Sequence, residues 1–380
     1  MPLQVATVAV FDMNRPLKCL LAAAGLWSAA MAADQVAQWQ IGPFERPPGA
    51  NPAIAPQKDS LFRNPMDGKP ARWEALHTFN PAAIVRNGKV YVLYRAEDDS
   101  GEMRIGLHTS RLGLAESDDG LHFTRRPEPV FYPDNDSQKE REWPGGCEDP
   151  RLVESEDGTY VLTYTQWNRR KTDAAIATSK DLVHWTKHGP ALGTEGKYGA
   201  LSYKSAGTVT RVEGGRLIAA KIAGKYWMYW GEGVIRLATS EDLIHWKPVE
   251  DAHGEPVAVL AKRAGRFDSS FPETGPPPVL TGKGIVVLYN GKNAPNGGDP
   301  ALGPNAYSAG EALFAADDPG KLVERTDQPV FKPELPFEKS GQYAAGTTFA
   351  EGLVWFRNQW FLYYGCADSM VGVAIVRPPR

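Results

Sequence analysis

An all-β architecture, a single five-bladed β-propeller, is expected of this 380-residue chain on three features. The first is a repeat. "SDDGLHF" begins at Ser117, "SKDLVHW" at Ser179 and "SEDLIHW" at Ser240, 62 and 61 residues apart, and a weaker echo, "ADDPGKLVER", begins at Ala316. The second is a series of five strand-like aromatic runs, most of them preceded by a turn signal and each by a shorter apolar run. The third is that no sustained 3.6-residue apolar period lies between the repeats. A long period built of short strands is the signature of radially repeated sheets.

The units follow one another in order. The first has "PAAIV" (81–85), the turn Asn87-Gly88 and "KVYVLYRA" (89–96). Asn-Gly readily takes the positive φ angles of a tight hairpin, which fixes the two runs as antiparallel neighbours. The second has "PRLV" (150–153), Asp157-Gly158 and "TYVLTYTQW" (159–167). The third pairs "GTVTRV" (207–212) with "KYWMYW" (225–230), and the fourth pairs "PPPVL" (276–280) with "GIVVLYNG" (284–291) across Gly282-Lys283-Gly284. The fifth pairs "GTTFAEGLVW" (346–355) with "WFLYYGCAD" (360–368) across Arg357-Asn358. His122, His184 and His245 recur at one repeat position. A repeated position faces a different unit each time, so the three are read as structural and not as a metal site.

Composition narrows the function. Lys+Arg 42 against Asp+Glu 45 gives a net charge of -3, which gives no electrostatic reason to expect nucleic acid or an anionic membrane as partner. No apolar run of spanning length occurs in the body of the chain. At the N-terminus, Arg15 and Lys18 precede "CLLAAAGLWSAAM" and Ala30-Met31-Ala32, the order of a signal peptide. The expectation is a signal over residues 1–33, with Met13 as a more ordinary start than Met1, and an exported (periplasmic or secreted) domain over 34–380. Cys147 and Cys366 are expected as buried free thiols.

Propellers place chemistry where the innermost strands begin, around the axis. The polar residues there are His77 and Asn80 in the first unit, Glu148, Asp149 and Arg151 in the second, and Lys204, Ser205 and Arg236 in the third. The fourth has Asp268 and Glu273, the fifth Tyr343, Thr347 and Asp368, and Glu232 follows "KYWMYWG". Carboxylates and cations ringed by Trp143, Trp167, Trp227 and Trp230 suit a sugar, whose hydroxyls need polar partners and whose apolar faces stack on rings. Paired carboxylates are also the equipment of glycosidic bond cleavage.

The segments "NPAAIVRNGKVYVLYRA", "GLAESDDGLHFTR", "CEDPRLV", "LATSEDLIHW", "RFDSSFPETGPPPVL", "VLYNGKN" and "YYGCAD" together resemble glycoside hydrolase family 130, the mannoside phosphorylases and mannosidases, from about Asn80 to Asp368. The resemblance implies the same five-bladed fold and makes Asp149 of "EDPR" the general acid. Glu148 beside it would raise the pKa of Asp149 by like-charge repulsion, although strand alternation would turn Glu148 to the opposite face. Arg151 would bind a sugar or an anion. Glu232 and Glu273 match glutamates of the hydrolytic members and would activate water. Asn80, Arg95, Arg151, Lys204, Asp268, Tyr343 and Asp368 complete the expected substrate site. The reading is an inverting β-mannosidase acting on β-1,2-linked mannosides, with no cofactor and no metal ligand. The alternatives are a phosphate-dependent β-mannoside phosphorylase and a non-catalytic sugar-binding propeller.

Overall fold

The protein is described from a computed structural model covering residues 37–376. The expected signal segment lies outside these residues. The described chain is nearly all β, with only two short α-helices, α1 (Lys139–Glu142) and α2 (Gly196–Ala200). No described helix is long and apolar enough to cross a membrane.

Antiparallel meanders follow one another along the chain. The first is β1 (His77–Arg86), β2 (Lys89–Glu97), β3 (Ser110–Ser117) and β4 (Thr124–Arg125). Its hairpin turns at Asn87 and Gly88, both with positive φ as an Asn-Gly turn requires. The second is β5 (Gly146–Glu154), β6 (Tyr160–Trp167), β7 (Thr172–Ser179) and β8 (Trp185–Pro190).

The third meander departs from a simple hairpin. Its first strand divides into β9 (Ala206–Thr208) and β10 (Thr210–Glu213), and their partners are two segments, β12 (Lys225–Trp230) and β11 (Arg216–Ala219). β13 (Ile235–Ser240) and β14 (Lys247–Pro248) complete it. In the fourth, Pro276, Pro277 and Pro278 interrupt the first strand, because proline has no N–H for the ladder. The two halves, β15 (Phe271–Thr274) and β16 (Val279–Thr281), both pair with β17 (Gly284–Lys292), followed by β18 (Tyr307–Phe314) and β19 (Leu322–Arg325). The fifth is β20 (Thr348–Phe356), β21 (Gln359–Cys366) and β22 (Met370–Ile375). The free edge of β22 is covered from the other end of the chain. Glu45 and Ile54 pair antiparallel with Ile375 and Val371 through backbone hydrogen bonds.

Apolar side chains separate by interface. One cluster, with Leu93, Leu114, Leu152 and Leu162, lies between the first and second meanders. Val161, Ile176, Met228 and Trp246 fill the space between the second and third. Tyr229, Leu237, Val287 and Phe314 join the third to the fourth. Val286, Leu313, Leu353 and Leu362 join the fourth to the fifth, and Val90, Val92, Val354 and Tyr363 join the fifth back to the first. Alternation along each strand produces this: one face feeds the layer ahead and the other the layer behind.

The recurrent "S-x-D" segments are turns. In each, the serine Oγ accepts backbone N–H groups and the aspartate Oδ1 accepts two more, including that of the histidine. Each histidine Nδ1 lies within 2.8 Å of its own aspartate, at His122, His184 and His245, and all three rings are exposed. They are local braces. Cys147 and Cys366 are buried and unbonded to each other.

Candidate active site

The pocket is built by irregularities in the first strands. Pairing slips between Phe79 and Pro81, between Glu148 and Arg151, and between Ala350 and Gly352. Such bulges take a residue out of the ladder and re-aim its side chain. Asn80 and Asp149 sit in two of them, at φ 45° and 47°, and Ser205 (57°) and Asp368 (50°) share this costly left-handed conformation. A Cβ at Gly365 would stand 2.2 Å from Asn80 Oδ1, so the glycine of "YYGCAD" leaves the space that Asn80 occupies.

Asn80, Arg95, Asp149, Lys204, Glu232, Glu273, Tyr343 and Asp368 line one pocket of about 370 Å³. Arg95 is its hub. Its Nη1 donates to Asp149 Oδ1 (3.0 Å), and its Nη2 donates to Glu97 Oε1 (2.6 Å) and Glu148 Oε1 (2.9 Å), while the guanidinium stacks on Phe79. Asn80 Nδ2 donates to Asp149 Oδ1 at 2.8 Å. Lys204 Nζ stands 3.5 Å from Glu232 and 3.4 Å from Glu273, whose Oε1 also accepts from Ser205 Oγ at 2.6 Å.

The electrostatics reverse one expectation. Burial pushes the Asp149 carboxyl up, but Arg95, Lys204, Arg151 and the Asn80 hydrogen bond outweigh it and hold Asp149 at about 2. Glu148 takes the raised value instead. Burial, with Asp149 and Glu97 nearby, pushes it to about 7 against Arg95. Nor does Glu148 face away from Asp149: the bulge after it breaks strand alternation, and both carboxylates line the pocket. Burial likewise raises Asp368 to about 7 and lifts Glu273. Lys204 stays charged, since Glu273, Glu232 and Asp149 outweigh the burial that opposes it.

Two expected substrate ligands lie elsewhere. Arg151 is buried behind the pocket, where it donates to the carbonyls of Thr274, Gly275 and Asp149 and contacts Glu351 at 2.6 Å. It braces the second meander against the fourth. Asp268 is fully buried among Arg263, Arg325 and the Tyr289 hydroxyl, which satisfy its carboxylate within the fourth meander. Of the expected tryptophans, Trp167 lines the pocket and Trp230 an adjoining hollow that shares Lys204 and Glu232, whereas Trp143 and Trp227 line neither.

Several lining residues carry no sequence signal of their own. Gln342 donates to Glu97 Oε2 (3.1 Å) and to the Asp368 carbonyl (2.8 Å). Tyr307 and Phe349 add aromatic wall beside Tyr343. Outside the lining, Glu351 in the third bulge is buried against Arg151, and burial raises its carboxyl well above the usual range. The pocket as a whole offers five carboxyls, an arginine and a lysine, and rings beside amide and hydroxyl groups. That set can hold a polyol, seat an anion and pass a proton to an oxygen.

Comparison with known proteins is consistent with this chemistry. The profile of the glycoside hydrolase 130 family described as "beta-1,4-mannooligosaccharide phosphorylase" matches residues 51–378. The 1,2-beta-oligomannan phosphorylase of Thermoanaerobacter sp. (strain X514) is 32% identical over 311 residues, covering 80% of this chain and 91% of that protein. The beta-1,2-mannobiose phosphorylase of the same strain is 27% identical over 321 residues, covering 82% and 94%. A solved structure described as "The GH130 family of mannoside phosphorylases contains glycoside hydrolases that target beta-1,2 mannosidic linkages in Candida mannan" is 52% identical at a TM-score of 0.89, covering 91% of this chain and 96% of that one. The expected water nucleophile is corrected here: the two curated relatives are phosphorylases.

Proposed function

Because the chain belongs to glycoside hydrolase family 130, we propose that it cleaves β-1,2-mannosidic bonds by phosphorolysis, on a five-bladed β-propeller. The curated relative at 32% identity, a 1,2-beta-oligomannan phosphorylase matched over 91% of its length, carries the reading. Support for five blades comes from the apolar layers, which join each meander to the next and the fifth to the first.

Asp149 is the proton donor to the glycosidic oxygen. Phosphate attacks the anomeric carbon from the opposite face as the bond to that oxygen breaks. Phosphate is already a nucleophile and needs no base. A β-mannoside thus gives α-mannose 1-phosphate and a shortened sugar. Asp149 is held ionised by the surrounding cations while the site is empty. An incoming dianion would neutralise those cations and add negative charge, which raises the affinity of Asp149 for the proton it must deliver. In this reading Asn80, Arg95, Tyr343 and Asp368 meet sugar hydroxyls and Lys204 meets the anion, and all five line the pocket. Export of the mature domain remains part of the proposal, on the basic, apolar and small-residue order of residues 15–32.

The test is β-1,2-mannobiose incubated with and without inorganic phosphate, with products resolved by phosphorus and proton NMR. The expected result is α-mannose 1-phosphate, formed only with phosphate. The description of the 52%-identical structure names glycoside hydrolases, so the phosphate-free arm decides the acceptor. Free mannose released at the same rate in both arms, with no sugar phosphate, would overturn the proposal.

A further inference from the structure

Beside the pocket, two imidazoles and a carboxylate converge from three separate segments. His77 opens β1 and Glu97 ends β2, and the two are direct cross-strand partners, which places their side chains on one face. His108 comes from the loop between β2 and β3. One ligand atom of each residue lies within 4.8 Å of the others.

The hydrogen bonding leaves the two imidazoles short of partners. His108 is buried, and its Nδ1 stands 3.1 Å from the Ser100 carbonyl. A carbonyl can only accept, so Nδ1 carries the proton and Nε2 keeps its lone pair, the arrangement that orients a metal-binding histidine. His77 Nδ1 is buried with no hydrogen-bond partner. Glu97 is held in place by Arg95 and Ser110 on Oε1 and by Gln342 on Oε2. A hollow of about 390 Å³, whose lining includes His77, Met103, Arg104, His108 and Gln342, adjoins the set, with room for entry and for a water ligand.

We infer that His77, Glu97 and His108 bind one late first-row divalent cation of the zinc class, with a fourth position open to this hollow. Two imidazoles and a carboxylate suit such an ion, whereas calcium and magnesium prefer oxygen shells. Ligand atoms around one tetrahedral ion stand about 3.3 Å apart, so the set needs only a small inward movement of side chains. The ion is a clamp. It ties β1 and β2 to the 98–109 loop, whose Ile105 and Gly106 form part of the pocket wall, and through Glu97 to Gln342, which lines that wall as well. This inference is independent of whether phosphate or water accepts the sugar.

The experiment uses the full chain, stripped with chelator and titrated with Zn²⁺ by calorimetry, with bound metal measured after dialysis. One equivalent is expected, together with a rise in unfolding temperature. His77→Ala and His108→Ala should each weaken binding at least ~100-fold, and His122→Ala, at an exposed turn, should leave the stoichiometry unchanged. Should either pocket variant misfold, the visible absorption of Co²⁺ added to the native chain reports the site directly, as an intense band of a tetrahedral nitrogen–oxygen set. Wild type that binds no more Zn²⁺ than the His77→Ala/His108→Ala double variant, or shows no such Co²⁺ band, would overturn the inference. So would a loss of binding in His122→Ala as large as that in His108→Ala.

Discussion

Replacing Glu311 by glutamine should change the way stability depends on pH. Glu311 lies on β18, fully buried, and its Oε1 accepts the backbone N–H groups of Ile41 (3.1 Å) and Gly42 (3.0 Å). Burial pushes its carboxyl from 4.5 to about 7, and the two N–H donors only partly oppose this. A carboxyl raised in the folded state binds more protons folded than unfolded between those values. Its favourable contribution is therefore complete below about 4.5 and is lost as pH rises through about 7. The shift amounts to roughly 3 kcal/mol at about 1.4 kcal/mol per unit. Glutamine keeps the Oε1 acceptor and never ionises. Relative to wild type, Glu311→Gln should therefore gain roughly 3 kcal/mol between pH 4.5 and pH 8. Urea unfolding of both proteins at the two pH values measures this, and the pocket acids cancel because they are common to both. A difference that stays constant with pH to within about 1 kcal/mol would show that Glu311 is already ionised in the folded protein.

Two further outcomes are expected. Asp149→Asn keeps the shape of the pocket but removes the proton donor, so turnover of β-1,2-mannobiose should fall at least ~100-fold with the far-UV spectrum unchanged, and an aryl mannoside with a good leaving group should suffer less. Near-wild-type turnover of the disaccharide would remove Asp149 from that role. Gly113→Ala should destabilise by about 1–3 kcal/mol, as overpacked cores do, because the new methyl group would lie 2.3 Å from the Tyr94 ring and 2.8 Å from Trp73. Unfolding at an unchanged denaturant midpoint would refute that.

What could be read from the sequence was local. Asn87-Gly88 and Asp157-Gly158 announce their hairpins because the turn chemistry sits in two adjacent residues, and the strands next to the turns pair in regular register. The bulges were not legible. Strand alternation assigned Glu148 and Asp149 to opposite faces, and only the register slip after Glu148 brings both into the pocket. Asp268 looked like a site residue because nothing near it signalled an ion pair with Arg325, 57 residues away. The place of Arg151 outside the pocket lining was hidden for the same reason, its partners being carbonyls on a distant strand and Glu351. Conversely, His77, Glu97 and His108 have no motif spacing: the β1–β2 register sets His77 beside Glu97, and the loop after β2 brings His108 to them.

The pairing of Glu45 and Ile54 with β22 also dictates an order of events in folding. These partners come from opposite ends of the described chain, so the last ladder has the longest sequence separation available and the largest loop-closure cost. During synthesis from the N-terminus, residues 45–54 emerge first and can find their partners only after Val371–Ile375 have left the ribosome. Between the emergence of β22 and its capture by residues 45–54, the chain has a bare strand edge at one end and an unmatched segment at the other. Those two surfaces are complementary between molecules as well as within one. At high concentration, a neighbour's N-terminal segment can occupy the edge of β22 before the chain's own does. Final closure therefore carries the largest loop-closure cost, and it is the point at which swapped dimers would compete with the monomer.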